Sequence, residues 1–207
     1  MIKGDTNYYH SLHEQVQLGF DEKATDQTEK ESGIEALRQL LVSKASGICL
    51  EMNIGTHRNF AYYDQRKVRK LIGVDWVQQC IQKAEKIDQD ATVVCCDVNN
   101  LPFPDKQFDT IVDTFGLECS YDLERTWDEM KRLVKPGGKI LLLERGLGFW
   151  LQDNFTLIRK ASVNLGARGQ IYHHDFAHLV ENDPDVKVVK RKRKLRGMIY
   201  YYELQRL

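Results

Sequence analysis

Residues 48–60, ICLEMNIGTHRNF, place an apolar run, an acid and a glycine-bearing turn in close succession. The run ICLEM predicts a buried strand. The residues NIGTH after it predict a turn, because glycine and asparagine accept left-handed backbone angles more readily than most residues. Residues 59–69 are then predicted to form a helix. This stretch therefore predicts one strand, turn and helix unit.

The same alternation continues on both sides of this stretch. A helix is predicted upstream at 33–45, GIEALRQLLVSKA. Downstream, four further strands are predicted at 71–75, 91–97, 108–115 and 139–144, separated by helices at 76–87 and 121–134. The third strand, ATVVCCD, is rich in β-branched and small apolar residues, which predicts burial on both faces. Strands that alternate with helices predict a parallel sheet with crossover helices, a doubly wound α/β fold.

The pattern changes after residue 146. Helices are predicted at 149–165 and 175–182, and the segments 186–194 and 196–207 predict a closing antiparallel hairpin. This makes a mostly parallel, seven-stranded sheet. We expect one domain over residues 1–207. Within it, the polar segment 1–32 could serve as a lid, and 147–207 would form the acceptor side and the closing hairpin.

Composition limits the classes of function. The 30 basic and 30 acidic residues balance, which excludes a charge field over the whole molecule for nucleic acid or membrane but allows a local patch. No run of 18 apolar residues occurs, so no membrane-spanning segment is expected. The N-terminal residues lack the features of a secretory signal or a transit peptide, which favours a cytosolic protein or a chain whose presequence has been removed.

Cysteine and histidine show no metal-ligand spacing. The five cysteines form no CxxC pair and mostly lie in apolar runs, which predicts reduced, buried thiols and no metal. Cys119 alone is expected at a strand exit, where a thiol could face a cleft. The pair His173 and His174 favours a helix-entry turn over a metal site, since no third ligand is visible.

Polar residues follow three of the predicted strands, where ligands of such sheets bind. Glu51, Asn53 and Gly55 follow the first strand and lead into the predicted helix, whose free N–H groups could face a carboxylate or phosphate. Asp75 ends the second strand 20 residues beyond Gly55, the separation at which an acid commonly binds ribose hydroxyls. Asp97 ends the third and could hold an adenine amino group. Each residue alone could be a cap or turn residue, whereas their joint spacing predicts an adenosine site.

Four segments carry a resemblance to a known family: CLEMNIGTHRNF, IGVDWVQQCIQKA, CCDVNNLPFPDKQFDTIVDTFGLE and RLVKPGGKILLLERG. They resemble the successive motifs of class I S-adenosylmethionine-dependent methyltransferases, and LPFPDKQFD and LVKPGG are typical of the UbiE-like group. DTFGLECS, GIEALRQLLVSKASG and the C-terminal tail are similar to the mitochondrial Oms-type methyltransferase-like family. The resemblance covers residues 19–207. A dinucleotide site fits less well, because the G-x-G-x-x-G spacing is absent.

The resemblance implies S-adenosylmethionine as cofactor and assigns its contacts. These are Glu51, Asn53, Gly55, His57, Asp75, Trp76, Asp97, Val98, Thr114 and Phe115. Thr114 and Phe115, with Gly116, would line the methionine end, and no catalytic residue is assigned. Two positions of the family's glycine-rich turn are occupied by Asn53 and His57, and Arg145 stands where the family has a histidine.

Two functional hypotheses follow from the resemblance. The first is methyl transfer to a small-molecule or protein acceptor. The alternative is a catalytically inactive subunit or assembly factor of a larger mitochondrial complex, which the altered turn suits. Family resemblance implies a mitochondrial location, with the cytoplasm as the alternative.

The basic segment 187–196 carries seven lysines and arginines. It is interpreted either as protection of a sheet edge or as a surface for an anionic partner such as RNA, phospholipid or an acidic subunit. Nucleic acid is the weaker prediction, because tyrosines 200–202 are expected to pack the hairpin rather than stack on bases.

Overall fold

The computed structural model describes residues 21–87, 92–117, 120–146 and 176–207. Within these ranges it contains five helices: α1 (Glu22–Ser32), α2 (Ile34–Val42), α3 (Gln78–Ile87), α4 (Leu123–Leu133) and α5 (Phe176–Glu181). It contains seven strands: β1 (Gly47–Met52), β2 (Val68–Asp75), β3 (Thr92–Cys95), β4 (Phe108–Thr114), β5 (Val134–Arg145), β6 (Val186–Lys194) and β7 (Ile199–Arg206). The predicted helices at 33–45, 76–87, 121–134 and 175–182 are confirmed within a few residues, as are the five predicted strands and the hairpin.

The strands form one sheet in the order β3-β2-β1-β4-β5-β7-β6. Strands β1 to β5 pair in parallel, and β7 is antiparallel to both β5 and β6. The predicted α/β fold and its closing hairpin are therefore confirmed. Strand order reverses between β1 and β4, which pair through Met52 and Asp113 at their carboxyl ends. Ligands of doubly wound sheets bind in the crevice at such a reversal.

Helices cover both faces of the sheet. On one face α2 packs its apolar side on a cluster that includes Val112 and Leu141. On the other, α4 and α5 pack against Ile111 and Leu142. The apolar residues of α4 recur at helical spacing, and Asp122 caps its first turn by accepting a hydrogen bond from the backbone N–H of Arg125 at 3.0 Å.

The three consecutive tyrosines of β7 divide between the two faces. Tyr201 belongs to the cluster under α2, whereas Tyr200 and Tyr202 pack with Phe176 of α5 on the opposite face. All three are at most 1% exposed. The alternation follows from the two-residue period of a strand, and it confirms that these tyrosines pack the hairpin.

The helix predicted for residues 59–69 is wrong. The chain forms only a short 3-10 helix, Phe60–Tyr62, and β2 already begins at Val68. Tyr63 leaves the helical conformation with φ −71° and ψ 130°, and its buried hydroxyl bonds to Glu51. Asp64 then holds a turn by accepting the backbone N–H of Arg66 at 3.1 Å. The tertiary contacts of Tyr63 and the turn chemistry of Asp64 override the apparent helical pattern.

Several further expectations need correction or lie outside the described residues. Strand β3 is not buried on both faces, because it is the edge strand and exposes Thr92 and Cys95. Cys95 is therefore not a buried thiol, unlike Cys49 and Cys80. Helix α1 was not predicted, since its sequence is polar and only Glu29 is buried. The predicted helix at 149–165, Cys119, His173 and His174 fall outside the described residues, and the single domain and its lid stay predictions.

None of the described helices has both the length and the apolar character needed to cross a bilayer. Across the described ranges, His, Cys, Asp and Glu side chains form no cluster of three that could hold a metal ion.

Candidate cofactor site

The turn after β1 keeps the backbone of a glycine-rich loop although it holds one glycine. Asn53, Gly55 and His57 have φ values of 50°, 54° and 63°, all in the left-handed region. Asparagine and histidine are among the non-glycine residues enriched there, although each costs about 1–2 kcal/mol relative to a right-handed residue. Asn53 and His57 therefore adopt backbone angles that glycine adopts readily.

Gly55 and Asp75 meet at the carboxyl ends of β1 and β2. The backbone N–H of Gly55 donates to Asp75 Oδ2 at 2.9 Å, and that of Val77 donates to Oδ1 at 2.9 Å. Asp75 is 1% exposed, and burial raises the pKa of its carboxyl group to about 6. A Cβ added to Gly55 would meet only the carbonyl oxygen of Asn53 at 3.8 Å, so open space lies beside this backbone.

Asn53 fills space that a smaller residue would leave beside Gly116. Its Nδ2 donates to Asp113 Oδ2 at 3.0 Å, and the backbone N–H of Gly116 donates to Asp113 Oδ1 at 3.0 Å. A Cβ on Gly116 would lie 2.4 Å from Asn53 Nδ2, so these residues fit only because position 116 is glycine. Asp113 is fully buried, and desolvation raises its pKa well above the ordinary range. Asn53 thus ties the altered turn to the exit of β4.

Glu51 faces the polar interior of the turn. Its carboxylate accepts hydrogen bonds from Asn59 Nδ2 at 2.9 Å and from the Tyr63 hydroxyl at 2.8 Å. Burial outweighs these bonds and raises the pKa of Glu51 to about 7. With Asp75 and Asp113, it gives the carboxyl ends of three adjacent strands a buried acid each.

Arg38 of α2 anchors a buried network that the sequence analysis missed. Its guanidinium makes two hydrogen bonds to the carboxylate of Glu29 in α1, at 3.0 and 2.8 Å. Nη1 donates to Asn59 Oδ1 at 2.8 Å and to Thr114 Oγ1 at 2.7 Å. The available signal was the position of Arg38 on the apolar face of its helix, beside Leu37 and Leu41. A charged residue buried there requires partners.

The predicted adenine end, at Asp97 and Trp76, contains a second residue that the sequence analysis missed. Tyr121 donates its hydroxyl proton to Asp97 Oδ2 at 2.6 Å, and its ring lies nearly parallel to that of Trp76, with centroids 6.1 Å apart. The other carboxylate oxygen of Asp97 accepts the backbone N–H of Asn99 at 2.9 Å. Val98 points into the core and is 4% exposed. Trp76 and Asp97 thus meet through Tyr121.

Thr114 and Phe115 lie at the exit of β4, as predicted for the methionine end. Phe115 has φ 61°, and its backbone N–H donates to the carbonyl of Leu143 at 2.8 Å. The guanidinium groups of Arg38 and Arg145 lie 5.3 and 5.1 Å from the centroid of its ring. Arg145, which replaces the family's histidine, therefore makes a cation–π contact at this end of the site.

His57 lies in the packed interior of the turn. Its ring stacks on that of Phe60, with centroids 4.9 Å apart and planes 23° apart, and the residue is 3% exposed. The imidazole is thus part of the packing around the 3-10 helix.

Several known proteins are similar to this chain. Residues 50–142, from β1 into β5, match the model of a methyltransferase domain. The chain is 26% identical over 213 residues to Methyltransferase OMS1, mitochondrial, of Saccharomyces cerevisiae, covering 93% of this chain. These matches support the resemblance to class I S-adenosylmethionine-dependent methyltransferases. The UbiE C-methyltransferase of ubiquinone and menaquinone biosynthesis from Cupriavidus taiwanensis is 46% identical over 52 residues, a quarter of this chain. The predicted likeness to UbiE-like and Oms-type methyltransferases is therefore confirmed.

The chain spans only part of these methyltransferases, covering 44% of the yeast protein and 21% of the UbiE protein. Among solved structures, the N-methyltransferase NodS of Bradyrhizobium japonicum, in complex with S-adenosyl-l-homocysteine, superposes with a TM-score of 0.62 at 16% identity. The match covers 86% of each chain and shows a shared fold. The match to a methyltransferase domain supports S-adenosylmethionine as the predicted cofactor.

Proposed function

We propose that the chain binds S-adenosylmethionine at the carboxyl ends of β1, β2 and β4 and transfers its methyl group to an acceptor. The observation that carries this proposal is the contact between Gly55 and Asp75. It joins the retained glycine of the turn to the acid at the end of β2, beside a backbone with open space in front of it. A carboxylate oxygen has two acceptor positions, so Asp75 can bind ribose hydroxyls while it keeps its backbone partners.

The residues around this contact suit the other parts of the cofactor. Asp97 offers an acceptor for an adenine amino group, and Trp76 offers an aromatic face for the base. Burial raises the pKa values of Glu51, Asp75 and Asp113, and a ligand that carries a sulfonium and an ammonium group would favour the ionised forms of these acids. The bound cofactor supplies an electrophilic methyl group, so the protein's main task is to align the acceptor with it.

Calorimetry with S-adenosylmethionine tests this function. We expect micromolar binding by the wild type and a loss of at least about tenfold in affinity for Asp75→Ala. Asp109→Ala is the matched control. Asp109 also accepts a backbone N–H, that of Ile48 at 2.7 Å, but it lies at the amino end of β4, away from the proposed site. No heat from the wild type at millimolar cofactor would overturn the proposal.

A second candidate is the inactive subunit or assembly factor. It is favoured by Asn53, whose side chain is bonded to Asp113 and fills the space beside Gly116. In this alternative the turn is stabilised internally and needs no ligand. Wild-type protein that binds no cofactor, while Asn53→Gly with His57→Gly does bind it, would support this alternative.

A mitochondrial location is part of the proposal, as are protein partners in a larger complex. The support is the similarity to OMS1, whose name places that protein in mitochondria. Microscopy of the tagged full-length protein in its own cells tests the location. A uniform cytoplasmic signal would contradict it.

A further inference from the structure

Positive charge is concentrated in the last two strands. Residues 186–207 contain eight basic residues and one acidic residue, a net charge of +7, whereas the whole chain is neutral. Such asymmetry is typical of a surface that meets an anionic partner. The rest of the chain is correspondingly acidic, so the hairpin of β6 and β7 is electrostatically distinct from the body of the molecule.

The tip of this hairpin carries charge that acidic neighbours do not neutralise. In the body of β6, Arg191 and Arg193 pair with Glu181 at 2.7 and 3.3 Å. By contrast, Lys194 and Arg196 form no ion pair with any described residue and are exposed. Positive charge without an ion pair therefore flanks the turn, and Lys187, which is also exposed, lies at the other end of β6.

The same turn exposes aliphatic side chains. Leu195 is 40% exposed and Met198 is 48% exposed. Of the five large apolar residues that are exposed in the described ranges, these two, Val189 and Leu207 lie within residues 186–207. Leu195 and Arg196 have φ values of 49° and 55°, which are costly for residues that are not glycine. The turn thus presents Leu195 between Lys194 and Arg196, and Met198 two residues further on, at a cost in backbone strain.

The turn between β6 and β7 lies at the same end of the sheet as the proposed cofactor site, the end at which β1 to β5 have their carboxyl ends. Arg145 at the carboxyl end of β5 pairs with Ile199, which also pairs with Lys194. The backbone N–H of Gly146 donates to the carbonyl of Met198 at 3.0 Å. Because β6 is three strands from β4, the tip lies about 14 Å along the sheet from the exit of β4.

We propose that the hairpin tip, Lys194–Met198, docks on an anionic lipid bilayer. Aliphatic side chains enter the boundary between headgroups and acyl chains, and flanking cations are attracted by acidic headgroups. A single-stranded nucleic acid would favour exposed aromatic rings, whereas tyrosines 200–202 are buried. Docking through this tip turns the carboxyl ends of the parallel strands, where the proposed cofactor site lies, toward the bilayer. The docking proposal does not depend on cofactor binding.

Vesicle flotation of the full chain tests this surface. We expect binding to vesicles of phosphatidylglycerol and phosphatidylcholine, and little binding to phosphatidylcholine alone. Leu195→Asn with Met198→Ser should weaken binding about tenfold through lost apolar insertion. Asparagine is chosen at 195 because it tolerates the left-handed backbone. Lys194→Glu with Arg196→Glu should weaken it about tenfold or more, and salt should have the same effect.

A matched control lies at the end of α3. Lys86→Glu with Ile87→Ser changes an exposed cation and an apolar residue that is 53% exposed, away from the hairpin. This variant should bind like the wild type, and circular dichroism should show that all variants are folded. Equal binding by all variants, or no binding to anionic vesicles at low salt, would overturn the proposal. So would hairpin-dependent binding to a single-stranded RNA oligomer without binding to vesicles.

Discussion

At the scale of single residues, the site combines altered side chains with a retained backbone. Asn53 and His57, at positions where the resembled family has glycine, adopt left-handed backbone angles. Asn53 gains a hydrogen bond to Asp113, and His57 gains a stacking contact with Phe60. These contacts offset part of the backbone cost of about 1–2 kcal/mol per residue. Sequence identified both departures, but the contacts that compensate for them depend on residues 3 to 60 positions away.

The hydroxyl of Tyr121 is predicted to compete with the adenine amino group for Asp97. Tyr121→Phe keeps the ring beside Trp76 and removes only this competitor. Provided that the cofactor binds as proposed, we expect the dissociation constant for S-adenosylmethionine to fall about fivefold to tenfold, which corresponds to the net value of one hydrogen bond, about 1 kcal/mol. Titration calorimetry measures this change.

The control for this prediction is Tyr62→Phe. Tyr62 also donates to a carboxylate, Glu35 Oε1 at 3.1 Å, but it lies beside α2 rather than at the adenine end. Its removal should leave the dissociation constant unchanged. Unchanged or weaker binding by Tyr121→Phe would show that the hydroxyl does not compete.

At the scale of elements, the N-terminal helices are joined to the site by a buried ion pair. Arg38 connects α1 through Glu29 to Asn59 and Thr114, so α1 is held on the same network that orients the turn after β1. A helix as polar as α1 gains little from apolar burial. Its position therefore depends on Glu29 and on the adjoining pair of Arg58 with Glu29 at 2.9 Å.

Arg38→Met is predicted to destabilise the fold strongly. Methionine keeps much of the volume of the side chain but leaves Glu29 without its main partner, and breaking a buried pair costs about 3–5 kcal/mol. Urea unfolding should show this loss in the free energy of unfolding. Arg66→Met removes an exposed pair with Asp64 and should have little effect. A loss below about 1 kcal/mol for Arg38→Met would contradict the prediction.

At the scale of the whole molecule, the burial of acids at the carboxyl ends of the strands sets the pH dependence of the free energy of unfolding. The pKa of Glu51 is raised from 4.5 to about 7 and that of Asp75 from 3.8 to about 6. The folded state therefore holds protons that the unfolded state has released. The free energy of unfolding should fall as pH rises from about 4 to about 7, in contrast with acids such as Glu29, whose pKa is lowered and whose contribution is lost on acidification.

Glu51→Gln should flatten this dependence. A neutral amide can bond to both Asn59 and the Tyr63 hydroxyl, so the fold is kept while one titration is removed. At pH 8 the variant should gain stability relative to the wild type by roughly 3 kcal/mol, the equivalent of the raised pKa. Denaturant unfolding at several pH values between 4 and 8 measures the slope. Parallel curves for the two proteins would refute the prediction.

Sequence by itself determined the succession of strands and helices along the chain and the positions of the acids at strand ends. These follow from local periodicity and from the rule that parallel strands present their carboxyl ends at one edge. Local periodicity could not predict that β3 is exposed, because this depends on the order of the strands in the sheet. Nor could it predict that no α-helix follows Gly55, because this depends on the contact of Tyr63 with Glu51.

Only the tertiary structure decided how the acids are used. It paired Asp97 with Tyr121 and Asp75 with the backbone of Gly55, and it buried Arg38 beside Thr114. The separation of Arg38 from Thr114 along the chain is 76 residues. Local patterns of 3.6 or 2 residues assign a side chain to a face, whereas the partner across that face is set by the packing of the whole chain.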